Sequence, residues 1–317
     1  MKFTTMNKII NFHQVNDHDW FDNMVCYLKS KYVFITTEVL NEFYQDRINL
    51  KNSCHITIDD GDKSFYEFIF PVLKKHNVPA SLYVSPIICS EKSNYWFQEI
   101  IGYKQLEMKR IISEISDIPL NLFINYNLES IMKTMQINQI HEIIDRYCKK
   151  TNTPKKTFQN MTVENIKVVD KSGLIEIGAH TMNHPILKNE NDISSQYEIK
   201  ESINELSNIL NRKIKYFAYP NGIPELDFSE RERKYLKESD ILLAFSTDSK
   251  NFSLSDDRTS IPRIGISSSE NMNFLKTKFR LGSYWGPLTR LKPTGEYNER
   301  HKLNRIFSSV KMQNEEL

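Results

Sequence analysis

The sequence predicts an α/β fold built on a parallel sheet or barrel, and three observations carry that prediction. Short apolar runs alternate with segments of helical spacing from residue 8 to residue 266. Three of the runs end in turns rich in acid, histidine or glycine: HITIDDG (55–61), EIGAHTMNHP (176–185) and KYFAYPNG (215–222). The chain has 317 residues, 39% of them hydrophobic, enough to bury one large core with attachments.

The elements follow in order. KIINF (8–12) is a short strand, residues 19–30 read as a helix, and YVFI (32–35) is strand-like. Thr37 is placed as the cap of a helix over 38–45. CHITI (54–58) is the next strand. Residues 64–76 have helical spacing, with Phe65, Phe68, Ile69, Val72 and Leu73 on one face and Pro71 as a kink or division. ASLYVS (80–85) is a strand, Thr162 caps a helix to Asp170, and Gly173 leads into LIEIG (174–178). An amphipathic helix over 194–210 precedes KYFAY (215–219), a charged helix over 229–239, and the last strands ILLAFS (241–246) and IPRIGI (261–266).

Two regions break this rhythm. Residues 95–160 look almost wholly helical and read as an insertion between the two parts of a barrel, 1–94 and 161–266. Residues 267–317 form a C-terminal extension, expected either to pack on the barrel or to face a membrane. Over 270–317 it holds nine Lys/Arg against five Asp/Glu, so contact with anionic headgroups stands beside a solvated face as its reading.

Charge is nearly balanced, with Lys+Arg 42 against Asp+Glu 40, which argues against a nucleic-acid partner. No segment has the apolar length of a membrane span. The N-terminus MKFTTMNKIINFHQVND has no signal-peptide pattern, and Cys26, Cys54, Cys89 and Cys148 form no CxxC pair. Both features are read as those of a cytoplasmic protein with reduced thiols. Nothing in the sequence sets an oligomeric state.

The chemistry is sought where strands end. Asp59 and Asp60 follow a buried strand, although an ionised carboxylate is costly to bury unless it is paired or binds a metal. Taken alone, Asp-Asp-Gly is a turn, and His180 and His184 are two polar loop histidines. Taken together, two histidines and one carboxylate make the open three-ligand set of a catalytic zinc. Asp60 is then a ligand and Asp59 a base beside it. In a barrel both stretches lie at the C-terminal ends of strands, where active sites sit. The turn at Tyr219, Pro220, Asn221 and Gly222 is of the kind that aims a backbone N–H into a site, though by itself it says only that the chain turns.

The order ITIDDG, GAHTMNHP, YFAYPNG, IPRI resembles the polysaccharide deacetylases of carbohydrate esterase family four, the NodB-homology family. The resemblance spans roughly 8–95 and 161–266. It implies a distorted (β/α)7 barrel of TIM-like character, a divalent metal (most often Zn2+), and removal of N-acetyl groups from sugars. Carried over by position, Asp59 matches the catalytic base, and Asp60, His180 and His184 match the metal ligands. Asn221 falls where the family places the backbone N–H of its oxyanion hole, with Tyr219 beside it at the substrate.

The chain also departs from the pattern. Ala218 stands where the family has an arginine that pairs with the base, and Arg263 is the substitute, to be weighed against an ordinary surface ion pair. The C-terminal Leu-x-His that supplies the acid is missing, and His301 is the only histidine after Ile266. IINFHQV (9–15) resembles instead the start of the circularly permuted poly-N-acetylglucosamine deacetylase branch. That assigns His13 as general acid, against the alternative of a structural strand-end histidine.

His55 shares a strand face with Asp59 and is read as a buried, hydrogen-bonded histidine or a support for the site. Tyr95 and Trp96 either pack the insertion on the barrel or line the sugar site; His18, His76 and His141 are read as surface residues. A cytoplasmic enzyme of this kind would act on a nucleotide- or lipid-linked N-acetylated amino sugar of surface polysaccharide biosynthesis. A sugar deformylase or O-acetyl esterase, and an inactive glycan-binding or scaffold barrel, are the competing readings.

Overall fold

A computed structural model describes residues 6–268, 270–281 and 295–315. Its eight strands are β1 (Lys8–Phe12), β2 (Val33–Phe34), β3 (Ser53–Ile58), β4 (Ala80–Val84), β5 (Ile175–Ala179), β6 (Tyr216–Ala218), β7 (Leu243–Phe245) and β8 (Ile264–Gly265). Seven run in the order β7-β6-β5-β4-β3-β1-β8 in one curled sheet, and β2 pairs with the start of β3. Every pairing between strands is parallel. The ends of the sheet approach each other where Phe245 forms a parallel bridge with Ile261, three residues before β8. This is the distorted (β/α)7 barrel that the sequence implies.

β1, β3 and β4 are buried along their whole length, which explains why they read as nearly unbroken apolar runs. The first strand in the chain lies between β3 and β8, one place from the end of the sheet order, so the residue after it leaves beside the Asp59 end of β3.

The helices are α1 (His18–Lys29), α2 (Thr37–Tyr44), α3 (Phe70–His76), α4 (Pro86–Ser90), α5 (Trp96–Glu99), α6 (Gln105–Ser116), α7 (Leu128–Met132), α8 (Ile137–Thr151), α9 (Val163–Asp170), α10 (Asp192–Leu210), α11 (Glu230–Glu238), α12 (Met272–Leu281) and α13 (Glu296–Glu315). Three differ from expectation at their starts. The cap of α2 is Thr36, which accepts from the Val39 N–H, so Thr37 is already helical. Asn191 caps α10 by accepting from the Ser194 N–H, and the helix begins two residues earlier than its apolar face suggests. The segment before α3 opens as a π-helical stretch, Phe65–Ile69, with the Phe70 N–H reaching back to the Phe65 carbonyl. Pro71 has no N–H to continue an ordinary ladder, and the wider turn accommodates that gap.

The largest core joins the sheet to the helices around it, and α12 docks there through Leu275 and Phe279. A second core belongs to the insertion, with Met108, Ile111, Phe123, Ile140 and Ile143. Leu303 and Phe307 of α13 complete that second core, so this half of the extension packs on the insertion instead of the barrel core. The aromatic and basic stretch at 282–294 lies outside the described residues. Among the described residues no helix is long and apolar enough to cross a membrane.

Gly178 marks the tightest packing in the sheet. It pairs with Tyr83 across β4 and β5, and the Tyr83 ring occupies the space a side chain would take. A Cβ there would lie 2.5 Å from the ring and 2.7 Å from the Tyr216 carbonyl oxygen. Gly178→Ala is therefore expected to destabilise the fold by ~1–3 kcal/mol, read as a lower urea midpoint at an unchanged slope.

Candidate active site

The site sits at the C-terminal ends of β1, β3, β5 and β6. After β3 the chain turns sharply: Asp60 has φ +72° and Gly61 φ +69°, two successive left-handed residues. A Cβ on Gly61 would meet Val84 Cγ1 at 2.8 Å, so the turn has room only for glycine. Asp62 then accepts from the Ser64 N–H at 2.8 Å and opens the helical segment.

After β5 the loop curls back on itself. Thr181 and His184 take φ +63° and +57°, and Thr181 Oγ1 accepts the His184 N–H at 3.1 Å. Glu198 of α10 accepts the Met182 and Asn183 N–H groups, each at 2.9 Å, and the Asn183 amide at 2.8 Å. This buried carboxylate holds the tetrapeptide in the curl that brings His180 and His184 together.

The His180 Nδ1–H donates to the Ala218 carbonyl at 2.7 Å, which leaves its Nε2 lone pair free. That Nε2 lies 3.5 Å from Asp60 Oδ1, and His184 Nε2 lies 3.4 Å from the same oxygen. Bonds of ~2.0–2.2 Å to a tetrahedral ion set ligand atoms about 3.3 Å apart, so the three atoms have the spacing a metal needs. Asp60 Oδ1 is buried and has no hydrogen-bond partner among the described residues. Burial pushes the Asp60 carboxyl up, but the two imidazoles outweigh it and hold the group well below the ordinary range. The residues therefore fit a divalent cation. A second cluster, Asp22, Cys26 and His76, lies on the outer face. There Asp22 already meets Lys75 at 2.9 Å and His76 at 2.8 Å, which leaves it satisfied as an ion pair.

Asp59, 2% exposed, is held from inside the barrel. Arg263 grips it with both arms, Nη1 to Oδ1 and Nη2 to Oδ2, each at 2.8 Å. The guanidinium is fully buried, its Nε donating to the Ser246 carbonyl, with the Tyr83 and Phe245 rings beside it. Arg263 stands just before β8, and its length carries the charge up to Asp59. Burial raises the Asp59 carboxyl; Arg263, with His180 nearby, more than offsets this and holds it below its ordinary value.

His13, just past β1, has its Nε2 3.9 Å from Asp59 Oδ2 and is 53% exposed. It is open to solvent, and it approaches the same oxygen that Arg263 Nη2 holds. Asn221 has φ +56° and follows β6. The Tyr219 side chain, expected beside it at the substrate, points elsewhere. Its ring stacks on Phe228 at 3.6 Å and its hydroxyl donates to the Thr259 carbonyl, so Tyr219 braces the loop from below. His55 is the buried reading of the two: Nδ1 meets the Ile35 carbonyl and Nε2 meets Ser81, both at 2.8 Å, and burial lowers its pKa to about 4.

Sequence reasoning missed Asn11. Its amide donates to Asp59 Oδ2 at 3.0 Å, while its Oδ1 accepts from Arg263 and Thr57. A lone amide inside the apolar strand KIINF was the available signal, since a buried amide needs partners. The insertion's first residues also reach the ligands. Tyr95 donates its hydroxyl to the Asp60 carbonyl at 2.7 Å, and Trp96 donates its indole N–H to the His184 carbonyl at 3.1 Å. Each fixes the backbone of a left-handed ligand residue. Tyr95→Phe is expected to weaken metal affinity by ~10-fold, measured by competition with a chromogenic chelator.

A sequence profile described as polysaccharide deacetylase matches residues 47–241, more than half of the chain. The chain belongs to the polysaccharide deacetylase family. Members of that family hydrolyse the carbon–nitrogen bond of an acetamide and use a divalent metal, and this chain is a deacetylase with a buried Asp-His-His set that fits one. No curated protein matches the chain. Among solved structures, the Streptococcus pyogenes deacetylase PplD, in complex with acetate, is 17% identical, with a TM-score of 0.57 over 86% of this chain and 97% of that one. IcaB from Ammonifex degensii is 18% identical, with a TM-score of 0.57 over 89% of this chain and 97% of that one. A de-N-acetylase from Aggregatibacter actinomycetemcomitans is 15% identical, with a TM-score of 0.55 over 86% and 99%. At these identities the likeness is one of fold.

Proposed function

We propose that this deacetylase removes the acetyl group from the nitrogen of an amino sugar, with Zn2+ at Asp60, His180 and His184. The observation that carries the reading is Asp59, gripped by the buried Arg263 and approached by the exposed His13, next to the candidate ligand set. When bound, the cation supplies a water of lowered pKa and polarises the amide carbonyl.

The chain's own residues do the rest. Asp59, kept ionised by Arg263 and aimed by Asn11, accepts the proton of the attacking water. The Asn221 N–H donates to the carbonyl oxygen as negative charge develops on it. His13 gives a proton to the departing amine, which leaves poorly as an anion.

We read the barrel, 1–94 and 161–266, as the catalytic unit, and 95–160 with α13 as a helical body docked on it. The four cysteines are all free, which favours a reducing compartment and so an intracellular, nucleotide- or lipid-linked sugar. The test is acid release by the zinc-loaded chain from nucleotide-linked, polyprenyl-linked and polymeric N-acyl sugars, with acetate resolved from formate. Acetate from one carrier class supports the reading and names the carrier. Formate in place of acetate would move the enzyme to a deformylase, and ester-only cleavage to an O-acetyl esterase.

A further inference from the structure

Beyond the barrel, one side chain connects the C-terminal helix to the loop that carries Asn221. Arg300 of α13 is fully buried, and its Nη1 lies 2.6 Å from Asp227 Oδ1, also fully buried. The other oxygen of Asp227 faces the loop. It accepts the Asn221 side-chain amide at 2.6 Å and the Ile223 N–H at 2.7 Å.

The loop needs such support. Asn221 and Gly222 take φ +56° and +76°, and a non-glycine residue in that region is not self-sustaining. Thr247 holds the far side, with its hydroxyl on the Asn221 carbonyl at 2.7 Å and its N–H on the Gly222 carbonyl at 2.8 Å. The Asn221 N–H itself makes no hydrogen bond among the described residues. It is left free to serve a substrate oxygen.

Asp227 holds the loop through two accepted hydrogen bonds, which suit an ionised carboxylate. Burial pushes its carboxyl up, and Arg300 is the charge that opposes this. Arg300 is set in turn by Glu296, 3.6 Å away, which also meets Lys133, just past the end of α7, at 2.9 Å.

We propose that Arg300 is a positioning residue for the Asn221 N–H: through Asp227, the C-terminal helix sets the oxyanion loop. The proposal rests on the deacetylase reading for the role of that N–H. It makes the 296–315 helix a working part of the site, although it lies far along the chain from every motif.

The test compares Arg300→Gln and Arg300→Lys in the full zinc-loaded chain. Two readouts are taken: hydrogen–deuterium exchange of the peptide spanning 219–229, and kcat and KM for acid release. Arg300→Gln is expected to speed exchange at 219–229 by about tenfold, with peptides at 54–60 and 176–184 unchanged. It should lower kcat by ~10- to 100-fold with KM within about threefold, part of the value of one oxyanion donor. Arg300→Lys, which keeps the charge, should recover most of both.

Unchanged exchange at 219–229, an equal rise across the whole chain, or no recovery by the lysine variant would overturn the proposal. If Arg300→Gln does not fold, Arg300→Lys carries the reading against wild type. Its shorter reach should still raise exchange at 219–229 alone, and unaltered protection there would sink the idea. Absence of acid release by the wild-type chain would defeat the deacetylase reading and leave the exchange result to judge Arg300. Release with unaltered exchange would defeat the inference alone.

Discussion

Asp59→Asn is expected to lower kcat for amide hydrolysis by ~10²- to 10⁴-fold while leaving the bound metal at its wild-type stoichiometry. The ligand atoms belong to Asp60, His180 and His184, and none of them depends on the Asp59 side chain for a hydrogen bond. What the substitution removes is the anion proposed to accept the water's proton. It also breaks the grip of Arg263: the asparagine oxygen can still accept one guanidinium N–H, but its NH2 now faces either that guanidinium or His13. A fully buried arginine without its counter-charge costs ~3–5 kcal/mol, so the variant should also melt at a lower temperature. The two effects separate cleanly. Metal content and rate are measured on the fraction that remains folded, and activity within about tenfold of wild type would remove Asp59 from the role of base.

How far the sequence led can be followed residue by residue. β1, β3 and β5 were legible because each is a buried run that ends in a turn with chemistry on it. β6, β7 and β8 are shorter than the apolar runs KYFAY, ILLAFS and IPRIGI, because hydrophobicity marks what is buried and not where pairing stops. The candidate ligands and the candidate base are local features and could be read off short motifs. Asn11, Tyr95, Trp96, Asp227 and Arg300 were not read as supports of the site. Asp227 acts on its own loop, and the others each act on a residue from a distant part of the chain. Asn11 and Asp59 are 48 residues apart, Trp96 and His184 are 88 apart, and only folding brings them together. His13 and Arg263 lie between these cases. Their types and places at strand ends suggested roles, and the 2.8 Å and 3.9 Å distances to Asp59 come from the barrel's closure.

Asp60→Asn is expected to take bound zinc from about one per chain to near zero and to lower acetate release by at least ~10³-fold. The reasoning starts from charge. Asp60 contributes the one anionic atom of the set; the two histidines contribute neutral lone pairs. An amide oxygen in its place keeps the shape but gives up the attraction that offsets stripping water from the cation. The histidines are then left to bind through a preorganised but uncharged pair, their rings 4.9 Å apart. Stability provides a readout that does not depend on turnover. A metal that binds only the folded chain stabilises it by about 2.7 kcal/mol at a hundredfold excess over Kd. The wild type should therefore melt several degrees higher with zinc than after chelation, and Asp60→Asn should melt alike in both. Asp60 Oδ1 is buried without a hydrogen-bond partner among the described residues, a cost that a bound cation would offset. A zinc-dependent melting shift that survives in Asp60→Asn would place the metal elsewhere, and the partly exposed cluster of Asp22, Cys26 and His76 would be the first place to look.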